Sequence, residues 1–349
     1  MLRLFFPITG LFFDPFLIFS TGLFGGFASG FLCIGCGVII TPVLMELGVP
    51  PLIAVSTQLC HAVGTNFTNF LSYNRKRDVD FQLAAYILFG GGLGSVCEWL
   101  LIKYSSGSNA VLTKFIYVYA SALIIFGFII LFQSVKEWKN RMKKKHISTV
   151  MMRRWMLYLP FHRVFLRSRT EMSVIIPISV GFLAGLLVAS LGGGNNLFMA
   201  PIITYLIGRI SPVVHGTTAL SGCVITAITA IIYSQSGYCC DIVFVIILFA
   251  GAGLGSFIGV KLTYNIKRYY INAISAIVVF LMASRQIFKL IDNSFPIQTQ
   301  RQADFSKSSL FALVDGNSIG YTLICIALIS AIAYILERCM QKLTEKRKK

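Results

Sequence analysis

The sequence predicts an all-α integral membrane protein built from two related helical halves. Three observations predict it: a shortage of charge, apolar runs long enough to cross a bilayer, and landmarks of glycine, proline and polar residues that recur in the second half.

The 349 residues are 56% apolar and only 13% charged, with a mean hydropathy of +0.76. A soluble domain carries about a quarter charged residues, so too little polar surface exists to coat a soluble fold of this length. The apolar residues cluster into runs such as 115–132, 174–191, 242–262 and 319–336. A helix rises about 1.5 Å per residue and crosses the hydrocarbon in about 20 residues. The runs are continuous and lack strict alternation, which favours helices over a barrel. The net charge of +18 would suggest nucleic acid in a soluble protein. Here it lies between spans and at the C-terminus, where it sets topology, so no nucleic-acid partner is expected. The nine cysteines show no framework spacing and read as packed thiols. The apolar N-terminus lacks a small-x-small cleavage site before a polar chain and reads as the first span.

The elements follow in order. A first repeat covers 1–134, with a span over about 16–34, a break at Gly35, Cys36 and Gly37, a short apolar piece at 38–47, and segments at 52–73, 81–103 and 111–134. A basic linker covers 135–172. The second repeat covers 173–291, with a span to 191, a break at 192–196, a short piece at 197–207, and segments at 213–234, 241–263 and 270–291. A polar loop (292–317) and a C-terminal span with a basic tail (318–349) complete the chain.

The halves share anchors. Gly22 and Gly26 match Gly181 and Gly185. The Gly35–Gly37 break, followed by four residues and Pro42, matches Gly194, Asn195 and Asn196, followed by four residues and Pro201. Pro51 matches Pro212, Ser56 and Thr57 match Thr217 and Thr218, and Asp80 matches Asp241. The glycine run from Gly90 matches the run from Gly251. Duplication explains this better than chance. The linker holds eleven Lys or Arg against two Glu, so it and the basic tail are expected in the cytoplasm, with the protein in the plasma membrane. An odd number of crossings per half places every basic segment on that side, which makes the repeats inverted.

Interrupted hydrophobic segments at matching positions point to a transporter's binding site. A helix that restarts after a break presents free N–H groups and a partial positive charge, and so receives anions. Gly35, Cys36 and Gly37 stand at such a start, as do Gly194, Asn195 and Asn196, whose amides add donors. The polar clusters that follow are Ser56, Thr57 and Gln58 in one half and Thr217 and Thr218 in the other. His61 is the one titratable group near mid-span, and two roles stand open for it, a coupled proton or simple packing. The glycines of the spans read as close helix packing. The expected partners are therefore a small anionic substrate and the lipid bilayer, with no cofactor, no metal and no enzymatic activity; the oligomeric state stays open. A second reading, a membrane-embedded redox or metal-binding protein using Cys33, Cys36 and His61, stands beside the first.

The stretches from Gly35 to Pro42, Ala54 to Thr57, Leu191 to Pro201 and His215 to Thr218 resemble the TauE/SafE sulfite exporter family. The likeness covers nearly all of 16–291. It implies an all-helical carrier of small anions such as sulfite, thiosulfate and sulfonates. The chain departs from the family pattern at Cys36, at Asn195 and Asn196, and at Gln58.

Overall fold

Helices form where the apolar runs are long and the backbone must satisfy its own hydrogen bonds. The computed structural model describes residues 4–6, 11–32, 35–104, 117, 121, 123–125, 127–128, 130–132, 134–135, 160–165, 167, 170–193, 199, 202–203, 212–263, 268–291 and 318–346. Among these, nine helices make one bundle: α1 (Pro15–Leu32), α2 (Gly37–Glu46), α3 (Pro51–Arg75), α4 (Phe81–Tyr104), α5 (Ile175–Leu191), α6 (Pro212–Gln235), α7 (Ile242–Thr263), α8 (Arg268–Ile291) and α9 (Ser318–Lys346). Three stretches, Phe81–Leu100, Val213–Gln235 and Ile242–Gly259, are long and apolar enough to cross a membrane on length and composition alone. Large apolar side chains such as Phe89, Phe257, Leu281 and Ile324 face outward, as a lipid-facing surface requires. The protein is an all-α membrane protein.

Pro51 begins α3 at a position where its missing N–H is harmless. Residues 51–64 are all buried, which makes α3 the centre of the bundle. It packs on α2, α6, α7 and α9. The more apolar helices surround it and shield its polar side chains.

The span glycines set the helix pairing, as the sequence reading expected. A β-carbon at Gly22, Gly26 or Gly30 of α1 would collide with the backbone of Leu248, Ala252 or Ser256 of α7. Gly251, Gly255 and Gly259 of α7 face the backbone of α1 in the same way. The second pair, α4 with α5, repeats this pattern. Gly181 and Gly185 face the carbonyls of Ile87 and Gly91, and Gly90 and Gly94 face those of Ile178 and Phe182. Removing the side chain lets the backbones approach to contact, which maximises dispersion where lipid offers no hydrophobic drive. Positions rise together along both pairs, so the paired helices run parallel.

The two central helices run oppositely. Tyr73 stacks on His215, while Cys223 Sγ donates to the Val63 carbonyl at 3.8 Å. Both α7 and α9 run parallel to α3, because Phe249 and Ile329 both meet Gly64 while Cys240 meets Cys60 and hydrogen-bonds to Cys325. The end of α3 with Arg75, the start of α8 with Arg268 and the end of α9 with Arg338 therefore share one end of the bundle. The turn at 236–241, which has no basic residue, lies at the other.

Two short hairpins precede the first helix of each half. Strands β1 (Leu4–Phe6) and β2 (Leu11–Phe13) pair antiparallel with Leu4 opposite Phe13, and β3 (His162–Phe165) and β4 (Thr170–Ser173) pair with His162 opposite Ser173. Neither was expected from the sequence. Within the apolar N-terminus, Phe6 and Phe13 pack edge-on against Phe244 of α7. The second hairpin folds part of the basic linker onto the bundle: Phe165 packs against Tyr86, and Arg167 donates to the carbonyls of Arg77 and Val79 at the α3–α4 turn. The helix α9 also runs ten residues past its apolar part, through Arg338 and Lys342. Cationic side chains suit a helix C-terminus.

Candidate functional site

The chain breaks before α2 and after α5 meet each other. Gly35 (φ 90°) precedes α2, while Gly192 (φ 70°) and Gly193 (φ 119°) follow α5. L-residues with side chains avoid these backbone conformations, so glycine is required at both places. A β-carbon at Gly37 would lie 2.9 Å from the carbonyl carbon of Gly193. At Gly192 it would lie 2.9 Å from Thr41 Oγ1 and 3.3 Å from Gln58 Cβ, and at Gly193 3.2 Å from Ala62 Cβ. The start of α2, the end of α5 and the middle of α3 thus converge at the bundle centre.

On α3, His61 lies four residues after Thr57 and three after Gln58, so it is a helical neighbour of each. Gln58 Nε2 is 3.3 Å from His61 Nδ1, and the ring of His61 stands edge-on to Phe249, 5.8 Å between centroids. Ser56, Gln58 and His61 have no exposed surface and Thr57 has 1%. Yet Ser56 Oγ, Thr57 Oγ1, Gln58 Oε1 and His61 Nε2 have no hydrogen-bond partner. Buried polar atoms are nearly always paired, and leaving one unpaired costs about 1–3 kcal/mol. Four such atoms within six residues of one helix are the feature that most needs an explanation.

The counterpart cluster on α6 is saturated. Thr217 Oγ1 donates to the Val213 carbonyl at 2.6 Å and accepts from the backbone N–H of Asp80 at 3.0 Å. Thr218 Oγ1 donates to the His215 carbonyl. Ser221, Thr226 and Thr229 bond to carbonyls within their own helix, and Thr229 also meets Ser95 Oγ at 2.9 Å.

Of the residues singled out from sequence, Gly35, Cys36, Gly37, Gln58 and His61 fall in or beside the central convergence, with Ser56 and Thr57 on the same helix. Thr217 acts in the junction between α6 and the start of α4, and Thr218 bonds back within α6. Gly194, Asn195, Asn196 and Cys33 lie outside the described residues. Sequence reasoning missed Thr41, Gly192 and Gly193 as neighbours of Gln58, although all three stand inside the motifs it used. Cys36 shares a hydrogen bond with Ser29. Among the described residues, no group of three His, Cys, Asp or Glu could hold a metal ion. A cleft of about 350 Å³ lies beside the β3–β4 hairpin, lined by Tyr86, Phe161, Arg163 and Ile178 among others. None of its lining residues belongs to the central cluster.

These features define a multi-helix membrane protein with a polar centre set between the start of α2 and the end of α5. A model of the sulfite exporter TauE/SafE family matches residues 18–285, and the chain belongs to that family. It is similar to the probable membrane transporter protein YjnA of Bacillus subtilis (strain 168), with 26% identity over 205 residues, covering 57% of this chain and 71% of the relative. No solved structure matches.

Proposed function

We propose that the protein is a secondary transporter for a small anion of the sulfite or sulfonate type, bound where the two breaks meet against α3. The observation that carries this reading is the set of four unpartnered, buried polar atoms on α3. With the Gln58 amide nitrogen facing Nδ1, the amide donates and the ring accepts. The ring proton then sits on Nε2, which becomes a donor. Ser56 and Thr57 bring hydroxyl donors, and the N-terminal end of α2 adds positive potential. Neutral donors suit an anion that must also be released. Gln58 Oε1 is left as an acceptor, which suits an oxyanion that carries one proton, such as hydrogensulfite. His61 is the group among these that would carry a coupled proton.

The family description and the name of the Bacillus subtilis relative both support membrane transport, and the former supports sulfite as the first anion to test. An inverted repeat is supported by two features. The sequence counterparts α3 and α6 run oppositely, and the α1–α7 contacts recur as α5–α4 contacts at matching glycines. A two-fold axis that relates antiparallel helices lies in the membrane plane, which suits alternating access. The gathering of Arg75, Arg268 and Arg338 at one end supports a cytoplasmic location for the linker and C-terminus in a plasma-membrane protein.

The test is sulfite flux in proteoliposomes. Gln58→Leu is expected to lower flux about tenfold or more, from the loss of both its hydrogen bonds and its hold on His61. Thr226→Val, which removes a hydroxyl already bonded within α6, is expected to leave flux near wild type. Equal flux from the two variants overturns the site assignment.

A further inference from the structure

Three thiols meet beside the middle of α3. They come from three separate elements: Cys60 from α3, Cys240 from the turn before α7, and Cys325 from α9. All three have no exposed surface. Cys240 Sγ lies 3.1 Å from Cys60 Sγ, and Cys240 and Cys325 are hydrogen-bonded to each other. Tyr321 extends the chain of contacts, hydrogen-bonding to Cys325 and accepting from the Ile242 N–H at 3.2 Å. The neighbouring Cys239 is turned to Ser234, 3.4 Å away, so the adjacent pair 239 and 240 does not compete. The cluster is not arranged as a metal cage.

We propose that Cys60 and Cys240 form a reversible disulfide that locks α3 against the α6–α7 turn, with hydrogen peroxide as the oxidant. Closing the gap from 3.1 Å to a bond of about 2.0 Å takes a shift of about 1 Å. The Cys240 sulfur attacks one peroxide oxygen as its proton passes to the departing hydroxide. The O–O bond breaks, water leaves and a sulfenic acid remains on Cys240. The Cys60 sulfur then attacks that sulfenic sulfur, the S–S bond forms, and the hydroxyl leaves as a second water with the Cys60 proton. Two thiols are oxidised by two electrons, and one peroxide is reduced to two waters. Cys325, beside Cys240, is placed to attack the Cys240 sulfur, which releases the Cys60 thiol and moves the disulfide to Cys240 and Cys325; full reduction needs an external dithiol.

The consequence for transport rests on the reading given above; formation of the bond does not. Cys60 stands on α3 between Gln58 and His61. Alternating access requires α3 to shift against the elements that pack on it. A bond from Cys60 to the α6–α7 turn holds it in one position. The thiol of Cys325 lies on α9, beyond residues 18–285 that match the family, so the cluster also ties the C-terminal helix to the site.

The full-length protein in proteoliposomes is treated with hydrogen peroxide, free thiols are blocked with a maleimide, and the digest is analysed by mass spectrometry. A peptide pair joined through Cys60 and Cys240, lost on treatment with dithiothreitol, is the expected result. Its absence overturns the proposal. Sulfite flux is then expected to fall about tenfold on oxidation and to recover on reduction. Cys240→Ala, which removes the sulfur common to both possible pairs, should not respond to peroxide, and Cys60→Ser should form no bond to α3 even where Cys240 and Cys325 join. Cys223→Ser, which alters a thiol outside the cluster, should respond as wild type. A joined peptide pair with unchanged flux overturns the locking role. A joined pair in a protein that never moves sulfite retains the disulfide and rejects the sulfite reading instead.

Discussion

The polar clusters of α3 and α6 begin from the same sequence pattern and end in opposite states. On α6, each of five hydroxyls has a partner, and Thr217 ties the start of α4 to the bundle through the Asp80 N–H. On α3, Ser56, Thr57, Gln58 and His61 each keep a buried atom without one. Neighbouring Thr65 and Thr68 on α3 do bond back to their own helix, to the carbonyls of Ala62 and Gly64. The openness therefore belongs to residues 56–61 and not to the helix. One cluster is bonded within the structure, and the other keeps unused hydrogen-bonding capacity, which is what the proposed substrate site requires.

The strongest way to break this comparison is His61→Leu. Hydrogen bonds to charged partners are worth about 1.5–3 kcal/mol, so the affinity for sulfite should fall about 10- to 100-fold, read as a higher half-saturating concentration for flux. Unchanged affinity would remove His61 from the site. Next comes Gly193→Ala. Its φ of 119° disfavours any side chain at a cost of about 1–3 kcal/mol, and the new methyl meets Ala62 at 3.2 Å. Thermal unfolding should come at a clearly lower temperature, with flux reduced in parallel. A normal melting temperature would show that the break relaxes freely. The smallest effect is expected from Thr217→Val, which removes the acceptor for the Asp80 N–H. Stability should fall by about 1 kcal/mol while sulfite affinity stays the same. A loss of affinity there would mean that both clusters hold substrate.

Much of the bundle was legible because apolar length and glycine breaks are local properties. The bounds expected for α2, α3, α4, α6 and α7 fall within two residues of those observed. The glycine runs at 90–94 and 251–255 were legible as packing because only backbone contact explains repeated small residues within a span. The hairpins were not legible. Strands of three or four residues are held by distant surfaces, Phe244 for the first and Tyr86 for the second. Within the site, Gln58 and His61 were visible as polar residues in an apolar segment, which need partners. Which cluster stays open was not visible. A Ser or Thr in a helix either bonds back to its own carbonyls or projects outward, and neighbours far along the chain decide between the two. The approach of Gly192 and Gly193 to Gln58 is likewise a contact between halves that local pattern does not encode.

The most direct measurement is the rise in melting temperature that sulfite produces in wild type, Thr57→Val and Thr218→Val. A ligand that binds the native state raises its stability with concentration. The two threonines are sequence counterparts and differ in that Thr57 Oγ1 lacks a partner while Thr218 Oγ1 is bonded to the His215 carbonyl. The predicted result is a sulfite-dependent rise retained in Thr218→Val and lost or sharply reduced in Thr57→Val. A rise retained in Thr57→Val, or lost equally in both, would contradict a binding site on the open cluster of α3.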